Sequence, residues 1–403
     1  MGEHGSAVSR RHLLAGSAAA LAAGAGLSGC VATQSSSRSG GGFGHTVEPF
    51  FGRHQSGIAT APQAHASFVA LDLVPQGSRS ARATLEAILK VWTSDAERLT
   101  QGRPALADTE PELAERPARL TVTVGLGHSA FERIGLAHRR PRGMSPLPSF
   151  STDRLDPRWC GGDIVLQLCA DDPMVLAHTS RVLLKNVRSL TRQRWRQNGF
   201  RNAHGSNQAG GSMRNLMGQV DGTANLHDEA AFDRHVWDDG SEQPWFAGGT
   251  VMVVRRIRAE MDAWDELDRS GKELVVGRRL ADGAPLTGRQ EFDEPDFEAN
   301  VGGIPVIPPT SHIALARHRT EDEQFLRRPY NYDDTPGSGE TTDSGLIFVA
   351  YQREPSKQFV PVQQRLAAAD GLNPWITTIG SATFAMLPGV EEGHALGGSP
   401  LAT

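Results

Sequence analysis

The chain has 403 residues, more than one ordinary domain of roughly 100–200 residues, and 38% hydrophobic against 22% charged residues is the balance of a soluble globular protein. A formal net charge of −5 excludes nucleic acid as the main partner, because neutralising phosphates needs a basic surface. Three cysteines are too few for a disulfide framework and match no zinc spacing, and no stretch is apolar enough over about 20 residues to span a membrane.

Taken in chain order, Ser9-Arg10-Arg11-His12-Leu13-Leu14 sets adjacent arginines before an uncharged, weakly apolar run, 13–27. This resembles a twin-arginine export signal. Leu27-Ser28-Gly29-Cys30 follows and resembles a bacterial lipobox, in which cleavage before Cys30 frees its amino group and thiol for lipid. The alternative is an ordinary leader in which Cys30 is incidental. Residues 1–29 thus read as a signal and the mature protein as periplasmic or extracytoplasmic, touching the membrane only through a lipid at Cys30. Residues 30–45 are Ser/Gly-rich and read as a tether, and 391–403 as a small polar tail.

Between these ends two blocks of mixed strands and helices follow one another. In the first, period-2 patterns predict strands at 67–74, 120–126 and 163–170, and Leu85, Ile88, Leu89 and Trp92 share one face of a helix between the first two. A further helix is expected over 182–190. In the second block, strands are expected at 250–257, 345–352 and 381–387, with helices at 260–267 and 357–369. The stretches 101–119 and 271–300 read as irregular. Two α+β domains follow, 46–235 and 236–390, joined near 225–245.

Three segments carry the chemistry. Gly218-Gln219-Val220-Asp221-Gly222-Thr223 lies near the join; alone, it reads as an Asp-Gly turn. Ser311-His312-Ile313 follows a Pro-rich loop, and Phe325-Leu326-Arg327-Arg328-Pro329-Tyr330 sets two arginines after an apolar pair. In this order the three resemble the dye-decolourising peroxidases, a family of haem enzymes. Gly52-Arg53-His54-Gln55-Ser56-Gly57-Ile58, Leu155-Asp156-Pro157, Gln243-Pro244-Trp245 and Gly380-Ser381-Ala382-Thr383-Phe384 extend the likeness to the exported, deferrochelatase/peroxidase-like branch of that family.

The resemblance implies two ferredoxin-like domains of the dimeric α+β barrel type, with one haem b per subunit in a pocket of the second. It implies reduction of hydrogen peroxide and one-electron oxidation of an organic donor, dye-like or phenolic. Deferrochelatase-type release of iron from haem, or haem carriage without turnover, are the alternatives. Iron-uptake proteins are candidate partners and a homo-oligomer a candidate assembly. By position, His312 matches the axial iron ligand, Asp221 the acid–base carboxylate, and Arg327 the guanidinium facing peroxide; Gly222, Thr223 and Phe384 match cofactor-pocket positions. Arg328 is expected in solvent or on a haem propionate.

Two departures stand out. Pro374 offers no acceptor where the family commonly has a carboxylate bonded to the axial imidazole, which leaves Asn373 or Asp370 as substitutes. Pro329 stands where many relatives have Gly. Cys160 and Cys169 are expected as free thiols, since no motif demands their pairing.

Overall fold

The first half of the chain is built on β1 (His65–Leu73), β2 (Thr121–Gly127), β3 (Ile164–Ala170) and β4 (Thr191–Phe200), with α1 (Ala81–Thr100), α2 (His128–Arg133) and α3 (Pro173–Val187) between them. The structure is a computed structural model describing residues 42–206 and 211–398; the expected signal and Cys30 lie outside that range. Two short strands, β5 (Met213–Arg214) and β6 (Val220–Asp221), and α4 (Glu229–His235) lead into the second half. There β7 (Thr250–Ala259) is followed by α5 (Met261–Asp265), α6 (Arg269–Val276), the hairpin β8 (Asn300–Val301) and β9 (Ile304–Pro305), and α7 (His312–Ala316). The chain closes with β10 (Leu326–Arg327), β11 (Tyr330–Asp334), β12 (Asp343–Gln352), α8 (Phe359–Ala369) and β13 (Ile376–Met386).

Each half lays its strands antiparallel in ferredoxin-like order. The first runs β4–β1–β3–β2, and the second repeats it as β13–β7–β12–β11, with β10 and β11 sharing one edge of β12. Their edges meet where β13 pairs with β2, through Phe384↔Gly127 to Met386↔Gly125, and where Asn331 of β11 pairs with Phe200 of β4. The result is a barrel without a long free edge, the arrangement that protects strand edges from foreign pairing. This is the α+β, ferredoxin-like architecture expected.

Two cores follow from alternation along the strands. Inward side chains such as Phe68, Val165, Trp195, Met252, Tyr330, Tyr351 and Phe384 fill the barrel. On the outside, α1 and α3 cover the first half, where Leu85, Leu89, Trp92 and Leu183 pack on Val69, Val124 and Leu166. Local signals set the helix ends: Ser80 caps α1, and Asp172 caps α3 with Pro173 in the first turn.

Several boundaries depart from the expectation. Helix α3 begins at Pro173 and ends at Val187, where the expected span was 182–190. Helix α5 is only five residues long, and α6, capped by Asp268 and closed by Gly277 at φ 91°, occupies the start of the stretch read as irregular. Strand β4 carries no hydrophobic alternation; only Trp195, Gln197 and Gly199 are buried along it, while Arg192, Gln193, Arg194 and Asn198 face solvent.

Candidate functional site

Outside the barrel, on the face of the second half, lies a cavity of about 920 Å³. Ile257 and Ala259 of β7, Leu346 and Phe348 of β12, and Ile376 and Thr378 of β13 form its floor. Ile313 and Ala316 of α7 and Phe359, Val362 and Leu366 of α8 add an apolar wall, and Phe325 stacks edge-on to Phe348 and Phe359 at 6.4 and 6.2 Å. Polar groups enter from three segments: Asp221 at the end of β6 with Thr223 and Asn225 in the loop after it, His312 at the start of α7, and Arg327 on β10.

His312 lies deep in the molecule yet keeps 32% of its side chain accessible, exposure it owes to the cavity. Its Nδ1 donates to Asp370 Oδ2 at 2.6 Å, and Asp370, itself buried, uses Oδ1 to accept from the Leu372 N–H at 2.9 Å. Asn373 donates instead to the Leu366 carbonyl at 2.9 Å. Of the two expected substitutes, Asp370 is therefore the partner of the imidazole. Burial opposes protonation of His312, but the charge and hydrogen bond of Asp370 outweigh it, and the imidazole's pKa moves upward. Among the described residues Nε2 makes no hydrogen bond, which leaves that nitrogen for a ligand.

Asp221, in β6, meets Arg327 Nη1 at 2.9 Å, although 106 positions separate them. Both are partly buried. Gly222 follows at φ 119°, a conformation that strains any residue with a Cβ, so the turn itself demands glycine. Thr223 donates its hydroxyl to Glu291 Oε1 at 2.9 Å, tying this loop to the 288–300 segment.

Two expected positions fall elsewhere. Phe384 does not reach the cavity: β13 carries an irregularity between Thr378 and Gly380 that switches which face its side chains take, and Phe384 packs inside the barrel near Trp195, 6.5 Å between ring centroids. Arg328 is neither in solvent nor at the cavity. It points into the barrel, where it donates to the Thr60 carbonyl and to Gln63 Oε1. Adjacent strand residues face opposite ways, so Arg327 and Arg328 cannot share a site. Cys160 and Cys169 are free thiols.

The residues fit a haem. The apolar floor and wall suit a macrocycle, one imidazole nitrogen is held in reserve by Asp370, and Arg317, His318 and Arg319 line the same cavity as candidates for its carboxylates. Gln219, two residues before Asp221, is buried and lines the cavity with both amide atoms unpartnered. A polar group in that state suits a site built for an occupant. Sequence reasoning missed Asn225 and Gln219; both flank Asp221, and adjacency was the one available signal.

Comparisons with known proteins agree with this geometry. Residues 55–201 match the family model "Dyp-type peroxidase, N-terminal" and residues 212–391 match "Dyp-type peroxidase, C-terminal". A dye-decolorizing peroxidase of Thermobifida fusca (strain YX) is 40% identical over 355 residues, covering 85% of this chain and 82% of that one. A deferrochelatase of Escherichia coli (strain K12) is 35% identical over 373 residues, 88% of this chain and 87% of the relative. The crystal structure of a DyP-type peroxidase from Cellulomonas bogoriensis superposes with a TM-score of 0.86 at 53% identity, covering 90% of this chain and all of that one.

Proposed function

The chain belongs to the Dyp-type peroxidase family, and from that membership we propose how its own residues divide the work. The protein is a haem peroxidase that reduces hydrogen peroxide and oxidises organic donors by one-electron steps. Bound haem supplies the redox chemistry, an iron centre that takes two oxidising equivalents from peroxide and gives them up singly. His312 would hold the haem iron through Nε2, and Asp370 fixes the ring's tautomer and orientation. Asp221 takes a proton from one peroxide oxygen and hands it to the other, so that this oxygen leaves as water. Arg327 stabilises the charge that develops on the departing oxygen and holds Asp221 in place.

The observation that carries this reading is that His312, Asp221 and Arg327 open onto one largely apolar cavity. Its test is haem titration of His312→Ala, which should bind haem weakly with an altered Soret band. Full occupancy with an unchanged band would remove His312 as ligand.

A second reading, release of iron from haem, rests on the likeness to the E. coli deferrochelatase. The Asp221–Arg327 pair favours peroxide chemistry over mere haem carriage, because carriage needs neither group. Metal-free porphyrin accumulating after turnover would favour iron release. For the N-terminal segment we infer twin-arginine export and lipidation at Cys30, from the Arg10-Arg11 pair and the Leu27-Ser28-Gly29-Cys30 match. Among the described residues no helix is long and apolar enough to cross a membrane; the acyl chains on Cys30 would hold the protein at the membrane surface. Wild-type protein should sediment with membranes and Cys30→Ser should not; freely soluble wild type would favour an ordinary leader.

A further inference from the structure

We propose that Asn225 is a positioning residue for Arg327, its side-chain amide standing in for a missing neighbour strand; this rests on the role of Arg327 given above. Strand β10 is two residues long and pairs on one edge only, Leu326↔Tyr351 and Arg327↔Ala350. The next residue, Arg328, sends its N–H to the Val349 carbonyl of β12 at 2.8 Å. Backbone groups alternate sides along an antiparallel strand, so the N–H and C=O of Arg327 point away from β12. Among the described residues no strand lies there to receive them. Pro329, two positions on, has no N–H with which to extend such pairing.

Asn225 fills that edge. Its Oδ1 accepts from the Arg327 N–H at 2.8 Å, and its Nδ2 donates to the Arg327 carbonyl at 2.8 Å. A carboxamide alone among short side chains can offer an acceptor and a donor side by side, as a peptide group does. The grip continues outward: the Ala224 carbonyl accepts from Arg327 Nη2 at 3.3 Å, and Asp221 Oδ1 accepts from Nη1 at 2.9 Å. One five-residue segment therefore holds Arg327 at its backbone and at its guanidinium. Asn225 sets the distance between carboxylate and guanidinium, and misplacement of about 1 Å at such a site can cost on the order of a hundredfold in rate.

The test compares haem-loaded wild type, Asn225→Ala, Arg327→Ala and the double variant. The readouts are fluoride affinity from haem absorbance, kcat/KM for hydrogen peroxide, and amide hydrogen exchange at Arg327. Fluoride is the probe because an anion bound at the iron depends on nearby hydrogen-bond donors. Asn225→Ala should weaken fluoride and lower kcat/KM by about tenfold each, leave KM for the organic donor unchanged, and speed exchange at Arg327; on the Arg327→Ala background it should add less than about twofold. Asn225→Asp keeps the acceptor and loses the donor, so its losses should be intermediate, and it serves the same comparison if the alanine variant does not fold. Fluoride affinity and kcat/KM staying within about twofold in Asn225→Ala, while Arg327→Ala lowers both, would overturn the inference alone. Equal losses on both backgrounds would overturn it too. If Arg327→Ala changes nothing, the assigned role of Arg327 fails first and this inference with it.

Discussion

Asp370 Oδ2 lies 2.6 Å from His312 Nδ1, across 58 residues of sequence and between the end of α8 and the start of α7. Asp370 cannot swing away, because its other oxygen is tied to the Leu372 N–H and the side chain is buried. The imidazole is thereby held in one tautomer with Nε2 toward the cavity. A carboxylate on the far nitrogen also makes the near one a stronger donor to a metal. Geometry and electronics at His312 thus depend on one residue that is not itself a ligand.

Asp370→Asn can preserve the hydrogen bond while removing the charge. Haem should be retained and its reduction potential should rise, since a less basic imidazole stabilises the ferric state less. Asp370→Ala removes both and should weaken haem binding by roughly 10–100-fold. Spectroelectrochemistry and haem titration measure the two effects. Wild-type potential and affinity in both variants would mean the pair is structural decoration.

How much of this was legible in the sequence differs by element. Strands β3 and β7 are apolar on both faces over most of their length, with Gln167 the one interruption in β3 and Val251–Val254 the apolar stretch of β7, because both of their faces are covered, and they stand where expected. Strand β4 was invisible because its outer face meets solvent and its inner face spends one of three buried positions on Gln197 and another on Gly199. At the site, Asp221, His312 and Arg327 sit in motifs that could be quoted. Phe384 could not be placed, because without the irregularity at Thr378/Gly380 the even-numbered residues of β13 would all share one face. Arg328 could have been placed, since adjacent residues of a strand must diverge. Asp370 stayed one of two candidates because only the folded chain brings α8 against α7.

Asp221→Asn and Arg327→Leu separate proton transfer from charge stabilisation. Each should lower kcat/KM for hydrogen peroxide by about 10²–10³. Both variants should still bind haem, because His312 and the apolar floor are untouched. Rapid mixing of the haem-loaded proteins with peroxide isolates this step from donor oxidation. The double variant should lose little more than either single one, because Arg327 Nη1 and Asp221 Oδ1 act as a pair at 2.9 Å. Wild-type rates in both single variants would contradict the division of roles and return weight to haem carriage.

The contribution of His54 to the stability of the fold should be lost on mild acidification. Its ring stacks on Trp237 with centroids 3.9 Å apart and planes 15° from parallel, and Nδ1 donates to the Gly248 carbonyl at 2.8 Å. This contact fixes the N-terminal segment to the loop that precedes β7. Burial is the largest influence on the ring and pushes its pKa down, against the smaller upward pull of the Gly248 carbonyl. His65 and His235 are also shifted down, again chiefly by burial. For a base with a depressed folded pKa, the unfolded chain binds more protons through the window between the two values. The stabilising contribution is therefore complete above the unfolded value, about 6.5, and is lost as pH falls through the folded value. His312, whose pKa moves upward, acts in the opposite sense, so the contribution of His54 is read as the difference between wild type and His54→Gln in unfolding midpoints measured from pH 8 down to pH 5. His54→Gln should be less stable than wild type at pH 8, having lost the stack on Trp237, but the gap should narrow toward pH 5 because the variant has no buried ring to protonate. A gap that stays constant, or widens in acid, would show that His54 does not titrate in this way.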